Sequence, residues 1–198
     1  MMELEPVVLQ GAHVRLVPMT MEHVPALWEA GNDPDLWQFT LTQNHSEDDM
    51  RRYVEAALRL QQQGTALPFV TTEAATGRVI GSTRFGNVDT WSRRVEIGWT
   101  WIAAPWQRSP INTEAKFLML RHAFETLGCI RVELKTSALN QKSRRAIARI
   151  GGREEGILRK HAVSEDGRIR DTVYFGIVDD EWPDVCARLL AMMAEPRS

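Results

Sequence analysis

One carboxylate, Glu96, stands in the middle of a segment with the alternating pattern of a β-strand. Val95 and Ile97 flank it, so Glu96 should point away from the face that they share. A carboxylate there could accept a proton from an amine, because a lysine-like amine has an unperturbed pKa near ~10.4 and must be neutral to attack an acyl carbon. The residues equally allow an ion pair, for which the candidate partners are Arg84, Arg93 and Arg94.

A second segment, residues 106–116, joins the end of this strand to the start of a helix. Such a junction directs unpaired backbone N–H groups and the positive end of the helix dipole at one point, which suits an anion such as a pyrophosphate. The alternative is an ordinary strand-to-helix turn, with Asn112 or Thr113 as the helix cap and Glu114 in the first turn.

The remaining pattern predicts the elements that position these residues. Thr20 and Ser46 look like helix N-caps, and three strands over 66–72, 78–85 and 93–103 should form an antiparallel meander with a loop at Gly86 and Asn87. Strict alternation in the third strand puts four side chains on one face, namely Val95, Ile97, Trp99 and Trp101. A helix over 111–127, a strand over 130–135, a helix over 140–150, strands over 154–160 and 168–178 and a helix over 180–193 should follow. This order predicts an α/β fold in one domain, 1–198, with a mixed sheet and helices on both faces.

Composition narrows the class of function. The 198 residues carry a net charge of −2, which gives no field that would draw nucleic acid or an anionic membrane. No apolar run or leader pattern is visible, so the cytoplasm is the expected location. Cys129 and Cys186 lie in different predicted elements without metal-ligand spacing, so we expect two buried thiols, no disulfide and no metal site. A cluster of arginines in the 144–153 region is expected to be a solvated helix face.

Taken together, 95–99, 106–116 and 140–143 resemble in order and spacing the acetyl-CoA site of the GNAT superfamily of N-acetyltransferases. Val14-Arg15-Leu16-Val17-Pro18 and Asn32-Asp33-Pro34 are similar to the branch that contains the RimJ/RimL-type ribosomal-protein N-terminal acetyltransferases. The resemblance covers nearly the whole chain. It implies a largely antiparallel central sheet of the GNAT fold and acetyl-CoA as the acyl donor.

The resemblance also implies where the donor binds. Six residues of the strand-to-helix loop take the positions of the pyrophosphate loop, namely Gln107, Arg108, Ser109, Ile111, Asn112 and Thr113. Trp101 and Ile102 would line the pantetheine arm, with the protein core as the alternative for Trp101. Asn140 and Ser143 would contact the cofactor from the next helix, with helix capping and surface solvation as the alternative for both. Three positions depart from the family pattern, because Pro110 and Asn112 replace the usual first and second glycines and Ile147 replaces a frequent tyrosine.

For catalysis, the resemblance implies that Glu96 is the base, exposed where the sheet splays, and that Ser143 or a water supplies the acid. The amine would attack the thioester directly, without a covalent enzyme intermediate. The acceptor would be a protein N-terminus or a small amine, and a homodimer is compatible with this interpretation. Trp37 and Trp91 are candidates for the border of the acceptor cleft, and the alternative function is an acyl-CoA-binding protein without catalysis.

Overall fold

Eight β-strands form a single sheet in the computed structural model, which describes Met2 and residues 4–194. In chain order the strands are β1 (Leu9–Gln10), β2 (Val14–Pro18), β3 (Leu67–Glu73), β4 (Val79–Asp89), β5 (Arg94–Ile102), β6 (Arg131–Ser137), β7 (Arg153–Val163) and β8 (Ile169–Val178). Their order across the sheet is β1-β2-β3-β4-β5-β6-β8-β7. Strands β5 and β6 are parallel, and every other neighbouring pair in the described chain is antiparallel. The mixed, largely antiparallel sheet is confirmed.

Five α-helices cover the sheet within the described residues. They are α1 (Val24–Gly31), α2 (Glu47–Gln62), α3 (Pro110–Arg121), α4 (Gln141–Arg149) and α5 (Trp182–Ala194). The predicted cap of α2 is confirmed, because the Ser46 hydroxyl accepts the N–H of Asp49 at 3.1 Å. Helix α3 is shorter than predicted and continues as a π turn over His122–Thr126. No described helix combines the length and apolar character needed to cross a bilayer.

The sheet separates two hydrophobic cores, as helices on both faces require. The α3/α5 core contains Phe85, Ile97 and Leu120, and the α1/α2 core contains Trp37 and Trp101. Burial of these side chains stabilises the fold by roughly 1.5–3 kcal/mol for each large apolar residue.

A β-bulge in β5 overturns the alternation expected beyond Gly98. Ser82 pairs with Trp101 while Arg84 pairs with Gly98, so Trp99 and Thr100 together face a single residue of β4. Trp99 has a left-handed φ of 50°. The extra residue shifts the phase of the strand, so that Trp101 enters the α1/α2 core although Val95 and Ile97 enter the other core.

Gly86 and Asn87, predicted to form a loop, lie instead inside β4, which runs on to Asp89. Glycine is required at this position, because a Cβ on residue 86 would lie 2.3 Å from the ring of Trp99. Strand β4 can therefore continue beneath the ring of Trp99, because residue 86 has no side chain to clash with that ring.

Glu114 fixes the N-terminal hairpin to α3. Its Oε1 accepts the N–H of Ala12 at 2.8 Å, and its Oε2 accepts the N–H groups of His13 at 2.7 Å and Val14 at 2.8 Å. Gly11 lies against the carboxylate, and a Cβ there would be 2.4 Å from it. Glu114 thus holds β1 and β2 in place as well as lying in the first turns of its helix.

Candidate active site

Strands β5 and β6 pair over only three residues and then separate. Arg94, Val95 and Glu96 pair with Arg131, Val132 and Glu133, whereas residues 97–102 of β5 and 134–137 of β6 have no pairing with one another. Because the strands are parallel, the chain leaves both of them at the open end of this wedge. The expected splay of the sheet is confirmed, and Glu96 lies where it begins.

Glu96 is 7% exposed, so it is buried where the sequence analysis expected it to be exposed, and it points to the face covered by α1 and α2. Its Oε2 lies 2.8 Å from Lys135 Nζ and accepts the Asn87 amide at 2.6 Å. Its Oε1 has no hydrogen-bond donor among the described residues. Gly98 makes room for that atom, because a Cβ on residue 98 would be 2.9 Å from Oε1. One carboxylate oxygen is therefore anchored and the other has acceptor capacity left.

The ion-pair partner of Glu96 is Lys135 of β6, so Arg84, Arg93 and Arg94 were the wrong candidates. Burial lowers the pKa of Lys135, but the hydrogen bond and charge of Glu96, together with the charge of Glu133, outweigh burial and raise the pKa overall. The ammonium also lies 4.6 Å from the centre of the Tyr174 ring. Lys135 is therefore charged and holds Glu96 from the opposite side of the wedge.

Glu133, which pairs with Glu96 in register, has its carboxylate occupied by three cations. Its carboxylate contacts Arg94 at 3.2 Å, Arg131 at 3.1 Å and Lys135 at 3.3 Å. Burial would raise its pKa, but Arg131 and Lys135 lower it overall. Of the two carboxylates at the start of the wedge, Glu96 is the one with an oxygen left to take a proton.

The loop after β5 ends in a capped helix start. The Ser109 hydroxyl accepts the N–H of Ile111 at 3.3 Å and donates to the Trp106 carbonyl at 2.6 Å. Ser109 is thus the N-cap, where Asn112 or Thr113 had been the candidates. Pro110 takes the first helical position, which its fixed φ suits, and Arg108 has a left-handed φ of 58° and an exposed side chain.

Helix α4 brings two cations to this loop, namely Lys142, which the sequence analysis did not assign, and Arg149, which it expected on a solvated helix face. Lys142 Nζ donates to Gln107 Oε1, and Arg149 approaches the Thr113 hydroxyl at 3.4 Å. Gln107 also donates to the Ile102 carbonyl at 2.8 Å. The i, i+7 spacing of Lys142 and Arg149 on one helix face was the signal that could have found them.

The other residues that were predicted to bind acetyl-CoA lie around the same opening. Asn140 caps α4, with its Oδ1 accepting the N–H of Ser143 at 2.9 Å. Ile147, at the position of the family tyrosine, is buried in the α3/α5 core. The side chains of Trp101 and Ile102 enter opposite cores, so only their backbone can line the wedge. The cofactor roles of Asn140, Ser143, Trp101 and Ile102 stay predictions.

The α1/α2 side of the wedge is closed by a tether between two loops. The N–H of Gln43 donates to Glu165 at 2.7 Å, and Arg168 donates to the carbonyl of Gln38. A pocket lies between this tether and the end of β6, and its lining includes Phe39, Ser137 and Arg170. Of the two tryptophans expected at the cleft border, Trp37 is core, with its indole N–H on the Gly31 carbonyl, and Trp91 is 94% exposed on the β4–β5 turn.

Two further ionisable groups are buried on the α3/α5 side of the sheet. Lys116 of α3 is 6% exposed and donates to Thr100 Oγ1 at 2.6 Å, and burial lowers its pKa to about 7. Burial raises the pKa of Cys129 to about 11, although the nearby Arg93 charge opposes this. Cys129 is buried as expected, whereas Cys186 is only partly buried. Among the described residues no group of three or more His, Cys, Asp or Glu side chains could hold a metal ion.

Comparison with known proteins gives this geometry its context. Residues 13–153 match the model of the acetyltransferase (GNAT) domain family. The chain is 35% identical over 106 residues to a Bacillus subtilis (strain 168) protein named "Putative ribosomal N-acetyltransferase YdaF"; the match covers 54% of this chain and 57% of that protein, so the chain matches just over half the length of that relative.

Solved structures extend the similarity to the whole fold. A GCN5-related N-acetyltransferase from Brucella melitensis is 30% identical, with a TM-score of 0.88 over 96% of this chain and 87% of that one. RimJ from Mycobacterium smegmatis, solved in complex with CoA-disulfide, is 25% identical, with a TM-score of 0.78 over 94% and 92% of the two chains. The matched family model spans most of the chain and includes both the wedge and the loop before α3, and the chain therefore belongs to the GNAT family of acetyltransferases.

Proposed function

We propose that this protein transfers the acetyl group of acetyl-CoA to a primary amine by direct attack of the amine on the thioester. The observation that carries the proposal is Glu96, a carboxylate with one anchored and one free oxygen at the point where β5 and β6 separate. Use of acetyl-CoA is a property of the GNAT family, and the relative solved with CoA-disulfide has a similar fold.

The loop before α3 is suited to the pyrophosphate of the donor. The start of α3 provides N–H groups and the positive end of the dipole, and Lys142 and Arg149 add full charges. Pro110 removes one N–H donor, and these two cations can compensate for it. Gln107, Arg108, Ser109, Ile111, Asn112 and Thr113 remain the proposed contacts. Beyond Glu96, the β5 backbone lacks a β6 partner and can bind the amide groups of the pantetheine arm.

Glu96 has the role of the base in this mechanism. It takes a proton from the ammonium form of the acceptor, directly or through a water, so that the nitrogen lone pair can attack the acyl carbon. The new C–N bond forms as the C–S bond breaks, the sulfur leaves with the bonding electrons, and the nitrogen releases its second proton to water to give the neutral amide. Ser143 or a water then protonates the thiolate. Cys129, buried with a raised pKa, takes no part.

The acceptor that we propose is a protein N-terminus or a small primary amine in the cytoplasm. The name of the Bacillus subtilis relative, a ribosomal N-acetyltransferase, supports a protein N-terminus. The pocket between the tethered loops and β6 lies on the same face as Glu96 and offers a route for the amine. Self-association as a homodimer stays a prediction.

A panel of peptides and small amines, assayed for release of the CoA thiol from acetyl-CoA, tests the proposal. Amine-dependent release with at least one acceptor supports it. The competing function, acyl-CoA binding without catalysis, is favoured by Pro110 in the loop and by the buried Ile147. Tight acetyl-CoA binding with no thiol release across the panel would establish that alternative instead.

A further inference from the structure

Two arginines on the α1/α2 face of the sheet have no counter-ion among the residues that the structure describes. Arg84 of β4 pairs in register with Gly98, next to the pair of Gly86 with Glu96. Arg170 lies on β8 and lines the pocket at the end of β6. Within the described chain no carboxylate lies within 4.0 Å of either guanidinium, although twelve other ion pairs form.

Arg84 is only 2% exposed and is held by aromatic rings. Its guanidinium carbon lies 5.0 Å from the centre of the Tyr53 ring and 4.8 Å from that of Trp99. Its Nε is buried and has no acceptor among the described residues. Ring faces offset part of the cost of burying a cation, but they leave the N–H groups of the guanidinium without acceptors.

Arg170 also has an N–H donor without an acceptor, and it lies on β8, on the other side of the wedge from Arg84. Its Nε and the hydroxyl of Thr172, two residues along β8, are buried without hydrogen-bond partners among the described residues. Tyr174, on the same face of β8, stacks with Lys135, which pairs with Glu96. Burial lowers the pKa of Arg170, and the charge of Glu96, with a smaller contribution from Tyr174, opposes this effect.

Charge on this face is therefore unbalanced. Glu96 and Glu133 share Lys135, and Glu133 also pairs with Arg94 and Arg131. Arg84 on β4 and Arg170 on β8 remain as two cations without an ion-pair partner in the described part of the chain. Buried charges are usually paired, because leaving one unpaired is energetically costly. An anionic group that reached either guanidinium would find an N–H donor without an acceptor.

We propose that Arg84 and Arg170 form an anion-binding subsite in the acceptor cleft, and that the amine acceptor carries a carboxylate close to its amine. This inference rests on the proposed acetyl transfer. An N-terminal Asp or Glu of a peptide and a free amino acid share this chemistry. The guanidinium groups would hold the carboxylate of the acceptor while Glu96 faces its amine. Glu96 is near Arg84 in the sheet, because its register partner, Gly86, lies two residues from Arg84 on β4.

The first test uses the wild-type protein and matched acceptors. Peptides that begin with Asp or Glu are compared with the same peptides that begin with Asn or Gln, and free Asp and Glu with their amides. We expect kcat/KM to be roughly 10- to 100-fold higher for the carboxylate members, because a hydrogen bond to a charged group contributes that much. The peptide pairs and the amino acid pairs are assayed separately, so that the results distinguish a peptide N-terminus from a free amino acid as the acceptor. Equal kcat/KM values within every pair would overturn the proposal.

The second test assigns the preference to the arginines. In Arg84→Met and Arg170→Met the preference for carboxylate acceptors should fall about tenfold, mainly through KM, while the amide acceptors and the thermal shift with acetyl-CoA barely change. Arg121→Met is the matched control, since its guanidinium stacks 5.1 Å from the centre of the Phe117 ring on α3. A merely structural arginine would lower turnover with both members of each pair equally. If Arg84→Met does not fold, Arg84→Gln replaces it.

A binding measurement separates this proposal from acetyl transfer itself. By calorimetry, an N-acetylated peptide beginning with Asp should bind the wild type more tightly than its Asn counterpart, and the difference should vanish in Arg84→Met. Thiol release without a difference in affinity between the Asp and Asn peptides would contradict the subsite and support the proposed acetyl transfer. The difference without any thiol release would keep the subsite and remove the activity.

Discussion

Glu96 of β5 and Lys135 of β6 form a 2.8 Å ion pair across two parallel strands, at the position where those strands begin to separate. The pair fixes one carboxylate oxygen and leaves the other over Gly98. If Glu96 deprotonates the acceptor, Glu96→Gln should lower kcat by roughly 10² to 10⁴ and leave acetyl-CoA affinity nearly unchanged. The loss should shrink as the pH rises, because more of the amine is then already neutral. Measurements of kcat against pH test this.

Glu133→Gln is the control for that variant, since Glu133 pairs with Glu96 in register but has its carboxylate occupied by three cations. It should lower the melting temperature and keep turnover per folded molecule. A folded Glu96→Gln protein with wild-type kcat at pH 7 would remove Glu96 from the mechanism.

Acetyl-CoA should raise the melting temperature, because a ligand that binds only the native state stabilises it. Asn112→Glu should abolish this shift by placing a negative charge in the first turn of α3, against the pyrophosphate. Gln62→Glu, at the exposed end of α2, is the matched control and should keep the shift. No shift in the wild type at millimolar acetyl-CoA would contradict the assignment of this loop.

The buried Lys116 should make stability depend on pH. Its pKa is about 7 in the folded protein and 10.5 as the ordinary value, so between these values the unfolded state binds more protons. Wild-type stability should therefore rise with pH in this window, by up to about 1.4 kcal/mol per pH unit. Below pH 7 both states are protonated and the full cost of burying the charge is present.

Lys116→Met removes this dependence. Its advantage in unfolding free energy over the wild type should be largest at or below pH 7 and should shrink towards pH 10, as urea unfolding would measure. Lys160→Met, which changes an exposed lysine of β7, should run parallel to the wild type at every pH. Parallel curves for Lys116→Met would show that Lys116 keeps its ordinary pKa.

Direct attack requires no thiol. Cys129→Ala should therefore keep its turnover, since Cys129 is buried with a pKa raised to about 11 and cannot supply a thiolate near neutral pH. Alkylation of the folded protein with iodoacetamide at pH 8 should modify Cys186 before Cys129. An acetylated cysteine trapped after mixing with acetyl-CoA would contradict direct attack.

The sequence predicted those features that are local in the chain. The cap at Ser46 and the order of strands and helices follow from neighbouring residues, and the structure confirms them. Thr20 precedes only a short 3-10 turn over Met21–His23, and its side chain caps no backbone N–H there. The shift at Trp99 could not be predicted in this way, because a bulge depends on the register with β4, and an alternating pattern continues through it unchanged.

The candidate site also contains features that the sequence predicted and features that depend on contacts between distant elements. The family pattern along one segment located the wedge and the loop before α3. The pairing of Glu96 with Lys135 and the approach of Lys142 to Gln107 join residues from different elements. Spacing along the chain can place Lys142 and Arg149 on one helix face, but it does not show which group each cation reaches. The two uncompensated arginines were missed for the same reason, since a missing partner becomes visible only when all neighbours are placed.

The contacts between Glu114 and the N–H groups of residues 12–14 span 100 to 102 positions in the sequence. During synthesis, the N-terminal hairpin therefore leaves the ribosome long before the carboxylate that secures it has been made. Contacts of such high sequence separation form late, because a long loop must close first. The hairpin should accordingly gain protection from hydrogen exchange only after α3 has docked, so a nascent chain ending before Glu114 should carry an open edge at β3.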